Sequence, residues 1–163
     1  PKNSCKKSFM VLDSLEKALS LVSPQFVAKD IEIIKDIKDY ELFSIENELV
    51  QVLINILNNA RDILETKENQ KRLIFIKTFT KDNTHYLEIK DNAGGIKDEI
   101  IGKIFEPYFT TKHQSQGTGI GLYMSEEIVR NHLKGTLIAE NSTYIYDNIE
   151  YTGAKFTIKI IVN

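Results

Sequence analysis

The sequence has one cysteine, Cys5, three prolines and no tryptophan among its 163 residues. A lone thiol excludes an internal disulfide, and the three histidines form no Cys/His pattern for structural zinc. No apolar run approaches the roughly 18 residues of a membrane-spanning helix, and the opening PKNSCKK is not a signal peptide. Charge of one sign is missing too: 21 Lys+Arg stand against 23 Asp+Glu, a formal charge of -2. A nucleic-acid-coating surface normally shows as a basic domain, so no nucleic acid is expected as a partner. There is no internal repeat and no low-complexity tract, so the chain reads as one domain around one core. It opens on Pro1 rather than Met and is expected to be a piece of a longer protein, with residues 1–8 a linker remnant and 9–163 the domain.

What is present is ordinary for a soluble fold, 42% hydrophobic and 27% charged. Phe9, Leu12, Leu15, Ala18 and Val22 recur at three- and four-residue steps, which predicts an amphipathic helix ended by Ser23-Pro24. IEIIKDI at 31–37 is rich in β-branched residues and predicts a strand. Over 46–66, Leu49, Val52, Leu53, Ile56, Leu57, Ala60 and Leu64 fall on one stripe at about 100° per residue. Strands are predicted at 72–80 and 84–90, turned by Lys81-Asp82-Asn83. A further helix is expected from Gly119 to His132, with Leu122, Met124, Ile128 and Val129 facing inward and Gly135 stopping it. Residues 136–141 and 154–162 read as closing strands. The order predicts an α+β, two-layer α/β sandwich: about three helices on a mixed, mostly antiparallel sheet of about five strands.

Two features are not explained by a core. Glu48, Gln51, Asn55, Asn59 and Asp62 step by 3, 4, 4 and 3, so they share a polar helix face bordering the apolar stripe. Asn is a poor interior helix residue, and two of them at i and i+4 cost propensity; the plain alternative is a solvated face. Residues 91–121 hold six of the eight glycines, and thirty irregular residues in a compact domain are commonly functional. Asp91-Asn92-Ala93-Gly94-Gly95 puts a carboxylate at a strand end beside a tight turn. Gly117-Thr118-Gly119-Ile120-Gly121-Leu122 opens a helix, where backbone N–H groups and the helix dipole favour an anion. Alone, either cluster is more often a turn.

Together with Phe105-Glu106-Pro107-Tyr108-Phe109-Thr110-Thr111-Lys112, these blocks resemble, in order, the N box, first glycine box, F box and second glycine box of sensor histidine kinases. The match is NxxxNA at Asn55 to Ala60, DxxGGI at Asp91 to Ile96, FEPYFTTK at Phe105 to Lys112 and GTGIGL at Gly117 to Leu122. It runs from about residue 7 to 162, including Gly153 to Phe156 on the last strand. The chain is therefore similar to a histidine-kinase catalytic domain of the GHKL superfamily, with a Bergerat-type fold and a long ATP lid at 97–116.

The resemblance implies ATP and Mg²⁺ as cofactors. Asp91 would accept a hydrogen bond from the adenine amine, with Gly95 letting the base approach and Ile96 beside it. Asn59 would give an oxygen to Mg²⁺, and Asp62 would act through a water on the metal. Gly117, Thr118, Gly119, Ile120, Gly121 and Leu122 would close the phosphate end, with Lys112 reaching in from the lid. Phe105 and Phe109 would anchor that lid by packing. Asn55, together with Asn59, belongs to the catalytic set: gyrase-type relatives carry a Glu at this position as the base, and an amide cannot take a proton. Three departures stand out: Ala93 where the first glycine box usually has Gly, so φ > 0 is not expected there; Asp62 where many members have Lys or Arg; and Ala154 where related ATPases often have Thr.

The implied activity is transfer of the γ-phosphoryl to a histidine on a separate N-terminal dimerisation domain, then to a response-regulator receiver domain, in the cytoplasm and without direct membrane contact. His85, His113 and His132 lie outside any phosphoacceptor-like helix pattern. Two alternatives are a GHKL serine kinase of the anti-sigma-factor type, whose lid usually lacks the FEPYFTTK block, and a nucleotide-sensing module that binds without transfer.

Overall fold

The structure, a computed structural model, describes residues 5–109 and 121–162. Along the chain, β1 (Lys7–Met10) runs directly into α1 (Val11–Ala28). β2 (Ile31–Ile37) and β3 (Glu41–Ser44) precede α2 (Glu46–Leu64), which is followed by β4 (Arg72–Lys81) and β5 (Thr84–Asp91). A single turn, α3 (Asp98–Ile101), leads to α4 (Gly121–Asn131), and β6 (Thr136–Tyr146) with β7 (Ile149–Ile161) closes the fold. The main sheet has the order β2-β4-β5-β7-β6; β2 is parallel to β4 and every other pair is antiparallel. The expected two-layer α+β sandwich is the observed one.

The core forms because the two periodicities meet. α2 presents Leu49, Val52, Leu53, Ile56 and Leu57, all fully buried, to Ile74 and Ile76 of β4, Leu87 and Ile89 of β5, and Phe156 and Ile158 of β7. Burying one such side chain contributes about 1.5–3 kcal/mol, so this central helix is the principal anchor of the layer. On β5 the inward row continues Leu87, Ile89, Asp91. Strand alternation thus delivers a carboxylate to the end of an apolar face. α1 packs on α2, and their N-terminal halves are tied by Glu46, which accepts hydrogen bonds from Ser14 Oγ at 3.0 Å and Lys17 Nζ at 2.7 Å.

Several elements differ from expectation. α1 does not end at Ser23-Pro24 but carries Pro24 inside it, on an exposed position. The lost N–H and the ring clash cost about 3 kcal/mol in a helix interior, and burial of Phe26 two residues later offsets it. In α4, Met124 does not face inward: it is 45% exposed, while Ser125 is fully buried on the stripe shared with Leu122 and Val129. At 100° per residue Met124 lies about 140° from Val129, outside that stripe. Sequence reading passed over β1 and β3, which form a two-stranded antiparallel ribbon at the start of α1. Lys7 and Ser8, inside the span read as a linker, are its first residues. β6 and β7 run five residues further towards each other than expected and meet at Asp147-Asn148, both at positive φ. The Asp82-Asn83 turn between β4 and β5 has the same form, as two-residue hairpins require.

Arg72 joins the layers at the other end. Its guanidinium donates to the carbonyls of Lys29, Glu65 and Lys67, so one side chain caps the C-terminal ends of α1 and α2. Helix carbonyls left unpaired at a C-terminus favour a cation.

Candidate functional site

Asp91 sits where β5 stops, and it is 5% exposed. Its Oδ1 accepts from the backbone N–H of Ala93 at 3.0 Å and of Ala154 at 3.2 Å. The other oxygen accepts no hydrogen bond from the described residues, and it is not among their sealed, unpaired polar atoms, which are Glu48 Oε1 and Thr157 Oγ1. One carboxylate oxygen is therefore fixed by the fold and one is left to accept a donor from the cleft. Burial pushes the Asp91 carboxyl above its ordinary value of 3.8, against the pull of the two backbone bonds and of Lys67.

The turn after Asp91 is shaped for close approach. Gly94 and Gly95 take φ of +98 and +89, whereas Ala93 does not enter the left-handed region, as its Cβ requires. Gly94 N–H bonds Thr152 O at 2.8 Å, and Ile96 exchanges two 2.7 Å hydrogen bonds with the Asn141 amide. Gly153 passes so near that a Cβ there would lie 1.7 Å from Asp91 O. Tyr144 lends its hydroxyl to the same carbonyl at 2.6 Å; burial and the charge of Asp91 raise its phenol far above neutrality, so it stays a donor. Lys67 Nζ reaches within 4.0 Å of the point where Gly94 would carry a Cβ. Of these neighbours, sequence reading named Gly153 and Ala154 and missed Asn141, Tyr144, Thr152 and Lys67. Asn141 lies on the core-facing track of β6 with Leu137 and Ala139, and Tyr144 on the opposite track against Phe75, a placement that no motif marks.

On α2 the two asparagines play different parts. Asn55 Oδ1 accepts from Gln51, and its amide group donates to Gly121 O at 3.3 Å and Ser125 Oγ at 3.1 Å. It therefore ties α2 to the first turn of α4. Asn59, one turn on, is half-buried and makes no hydrogen bond with the described residues. Asp62 pairs with Arg61, whose Nη2 and Nε lie 2.9 and 3.2 Å from Asp62 Oδ1. The rest of the stripe is recruited elsewhere: Glu48 Oε2 lies 2.6 Å from His132 Nδ1, holding α2 to the end of α4. Gly121 and Leu122 open α4; Lys112, Gly117, Thr118, Gly119 and Ile120 lie outside the described residues, as do residues 110–116 of the expected lid. Phe105 and Phe109 pack on the core, Phe105 edge-to-face on Phe156 at 6.2 Å.

No three His, Cys, Asp or Glu side chains cluster among the described residues in a way that would cage a metal. His85 is stacked on Tyr40, and burial lowers its imidazole below the ordinary 6.5, so it serves the sheet face. The arrangement offers a recessed acceptor at one end, a free amide on the helix face, and a helix start pinned beside it. That is a set for a planar donor-bearing group joined to an anion.

Comparison with known proteins agrees. Residues 44–162 match the family model described as histidine kinase-, DNA gyrase B-, and HSP90-like ATPase. The C4-dicarboxylate transport sensor protein DctB of Pseudomonas aeruginosa is 32% identical over 133 residues, 75% of this chain and 22% of that protein. The signal transduction histidine-protein kinase AtoS of Escherichia coli is 33% identical over 153 residues, 91% of this chain and 23% of that protein. The chain thus spans under a quarter of the length of these relatives. The nucleotide-free catalytic domain of the histidine kinase ThkA has the same fold, with a TM-score of 0.78 at 23% identity over 96% of this chain and 95% of that one. ThkA is also known in complex with the response regulator protein TrrA, matched with a TM-score of 0.74 at 20% identity over 97% of this chain and 42% of that one. A matching family model over most of the chain, a common fold and a recessed Asp91 beside a two-glycine turn lead to one assignment: the chain belongs to the histidine kinase-, DNA gyrase B-, and HSP90-like ATPase family, and is an ATP-binding domain.

Proposed function

We propose that residues 7–163 are the catalytic domain of a two-component sensor histidine kinase. It holds ATP–Mg²⁺ for phosphoryl transfer to a histidine on a dimerisation domain elsewhere in the parent protein, and thence to a response-regulator receiver domain. The observation that carries the reading is Asn55, an amide engaged on both its oxygen and its nitrogen, at the position where hydrolytic relatives keep a carboxylate base. An amide accepts no proton, so the site is suited to retain ATP until a nucleophile arrives from another domain.

The donor set fits magnesium better than a caged metal. Mg²⁺ takes few protein oxygens and completes its octahedron with phosphate and water, and Asn59 offers one uncommitted amide oxygen. When bound, the ion would neutralise charge on the triphosphate, as phosphoryl transfer requires. Asp91 would select adenine by accepting its exocyclic amine; Asp62, Gly95 and Ile96 would line the nucleotide, and Lys112 with Gly117 to Leu122 would meet the phosphates. None of the described histidines, His85 and His132, is placed to receive the phosphoryl: one is stacked in the sheet and the other paired with Glu48.

The test is radiolabelled ATP with this chain alone, with the parent's helical acceptor domain alone, and with the two mixed. Labelling should appear only in the mixture and on the acceptor, in an acid-labile form. Tethering is worth several kcal/mol of effective concentration, so the yield in trans should be low and proportional to acceptor. Acid-labile label on this chain by itself would refute the assignment. ATP binding without transfer to any acceptor would support the sensing module instead.

A further inference from the structure

The β6–β7 hairpin overhangs the end of β5, and this carries an inference that rests on the assignment of Asp91 to adenine. Pairing of β5 with β7 ends at Lys90↔Lys155, whereas β6 and β7 continue together to Tyr146↔Ile149. The projecting ladder runs alongside the turn from Asp91 to Ile96 and grips it repeatedly. Ala154 N–H and Tyr144 Oη hold Asp91, and Thr152 O holds Gly94. These contacts secure the Asp91 half of the turn.

Ile96 packs its side chain on the core, and among the described residues the side-chain hydrogen bonds to the Gly95–Ile96 half come from Asn141. Asn141 accepts from Ile96 N–H and donates to Ile96 O, both at 2.7 Å, a two-point pairing of its amide with the backbone N–H and C=O of one residue. Gly95 lies directly beneath it: a Cβ there would stand 2.8 Å from Asn141 Oδ1. Register explains why this side chain is the one available. Asn141 pairs with Ala154, and Ala154 donates its N–H to Asp91, so one rung of the ladder carries both the Asp91 contact and the Ile96 contact. The distance between the carboxylate and the glycine floor of the turn is thereby fixed through a single rung.

We propose that Asn141 is a positioning residue for nucleobase selection: by clamping Ile96 it holds the Gly95 floor at a fixed height relative to the free oxygen of Asp91. Adenine presents an amine to that oxygen and guanine a carbonyl, so guanine is rejected only while it cannot slide away from the mismatch. A floor that yields lets it slide. Loss of the clamp should therefore erode discrimination more than overall binding, because the phosphate-end groups on α2 and α4 are untouched.

The experiment measures ATP and GTP affinity in Mg²⁺ by calorimetry for the parent, Asn141→Ala and Asp91→Asn, with amide hydrogen exchange at Ile96. Asn141→Ala should speed Ile96 exchange and narrow the ATP-over-GTP preference by about fivefold, mostly through tighter GTP. Faster Ile96 exchange with an unchanged ATP-to-GTP ratio would overturn the proposal, since the clamp would then be structural only. Should Asn141→Ala not fold, Asn141→Asp decides by the same ratio, because it keeps the acceptor for Ile96 N–H and loses only the donor to Ile96 O. The Asp91→Asn arm separates the two layers of inference. If it leaves the preference intact, the adenine assignment falls and the proposal with it; if it abolishes the preference while Asn141→Ala does not alter it, the role of Asn141 falls alone.

Discussion

Replacing Asp91 by Asn should make the nucleotide-free protein more stable at neutral pH and a poorer binder of ATP. The side chain keeps its shape, and the amide oxygen can still accept the N–H groups of Ala93 and Ala154 that now reach Oδ1 at 3.0 and 3.2 Å. What changes is the outward atom, from an acceptor with charge to a donor that, on the proposed reading, would face the adenine amine. A hydrogen bond to a charged group is worth about 1.5–3 kcal/mol, so ATP should bind roughly 10- to 100-fold more weakly. Stability moves the other way because burial raises the Asp91 carboxyl above 3.8. A raised acid stabilises the fold fully below its unfolded value, and that contribution is lost as pH rises through the folded value. At pH 7 the parent bears the cost of a buried charge and Asn does not. Thermal unfolding from pH 3 to 7, with calorimetry for ATP, checks both halves. The variant's advantage should shrink as the pH falls towards 3.8. Undiminished ATP affinity would refute the base assignment, and a variant less stable than the parent at pH 7 would refute the claim that desolvation outweighs the backbone bonds.

Three further outcomes are expected. Burial pushes the Glu46 carboxyl up, but the bonds from Lys17 and Ser14 and the charges of Lys17 and Lys7 prevail and hold it below its ordinary 4.5. Its stabilisation is therefore present above pH 4.5 and lost as pH falls through the lowered value, so Glu46→Gln should cost about 1 kcal/mol at pH 7 and nothing near pH 2 by urea unfolding. Arg72→Lys should destabilise by about 2 kcal/mol, since an ammonium cannot reach the carbonyls of Lys29, Glu65 and Lys67 together; an unchanged urea midpoint would dismiss the double cap. Asn59→Ala should remove most of the difference between ATP affinities measured with Mg²⁺ and with EDTA, and equal metal dependence in variant and parent would dismiss Asn59 as a ligand.

The elements legible in the sequence were those in which local period and burial agree. The stripe of α2, the alternation of β5 and the hairpin turn at Asp82-Asn83 each announce themselves in a few residues. The misreadings lie where a distant contact decides. Pro24 looks like a helix stop until Phe26 is seen to be buried beyond it. Met124 looks like core and Ser125 like surface, yet Ser125 is the residue that meets Asn55 across the helix interface. β1 and β3, of four residues each, are too short for alternation to show, and depend on pairing with each other. At the site, Asp91 and the glycines were visible because a turn and a strand end need particular residues. Asn141, Tyr144 and Thr152 were not visible, because what they do depends on a strand register that brings residues about fifty positions apart together.

The division of labour between Asn55 and Asn59 bears on how such a domain would be controlled. Asn55 is bonded to the helix that opens at Gly121, while Asn59, one turn away, makes no hydrogen bond with the described residues. On the proposed reading, the metal end of the site and the phosphate end are then joined by one side chain, Asn55, backed by Ser125, which is 0% exposed and has no alternative partner in water. A buried hydroxyl left without its partner costs about 1–3 kcal/mol, so α4 cannot shift its first turn away from α2 without a penalty of that size. A Glu at position 55 would give up the bond to the Gly121 carbonyl outright, because a carboxylate donates none, and could keep Ser125 only with the hydroxyl as donor. On the proposed reading, the residue that would withhold a hydrolytic base is thus the same one that holds α4 in register. That coupling would give a structural reason for an amide here: retaining ATP for a nucleophile from another domain and keeping α4 in place would be met by one group.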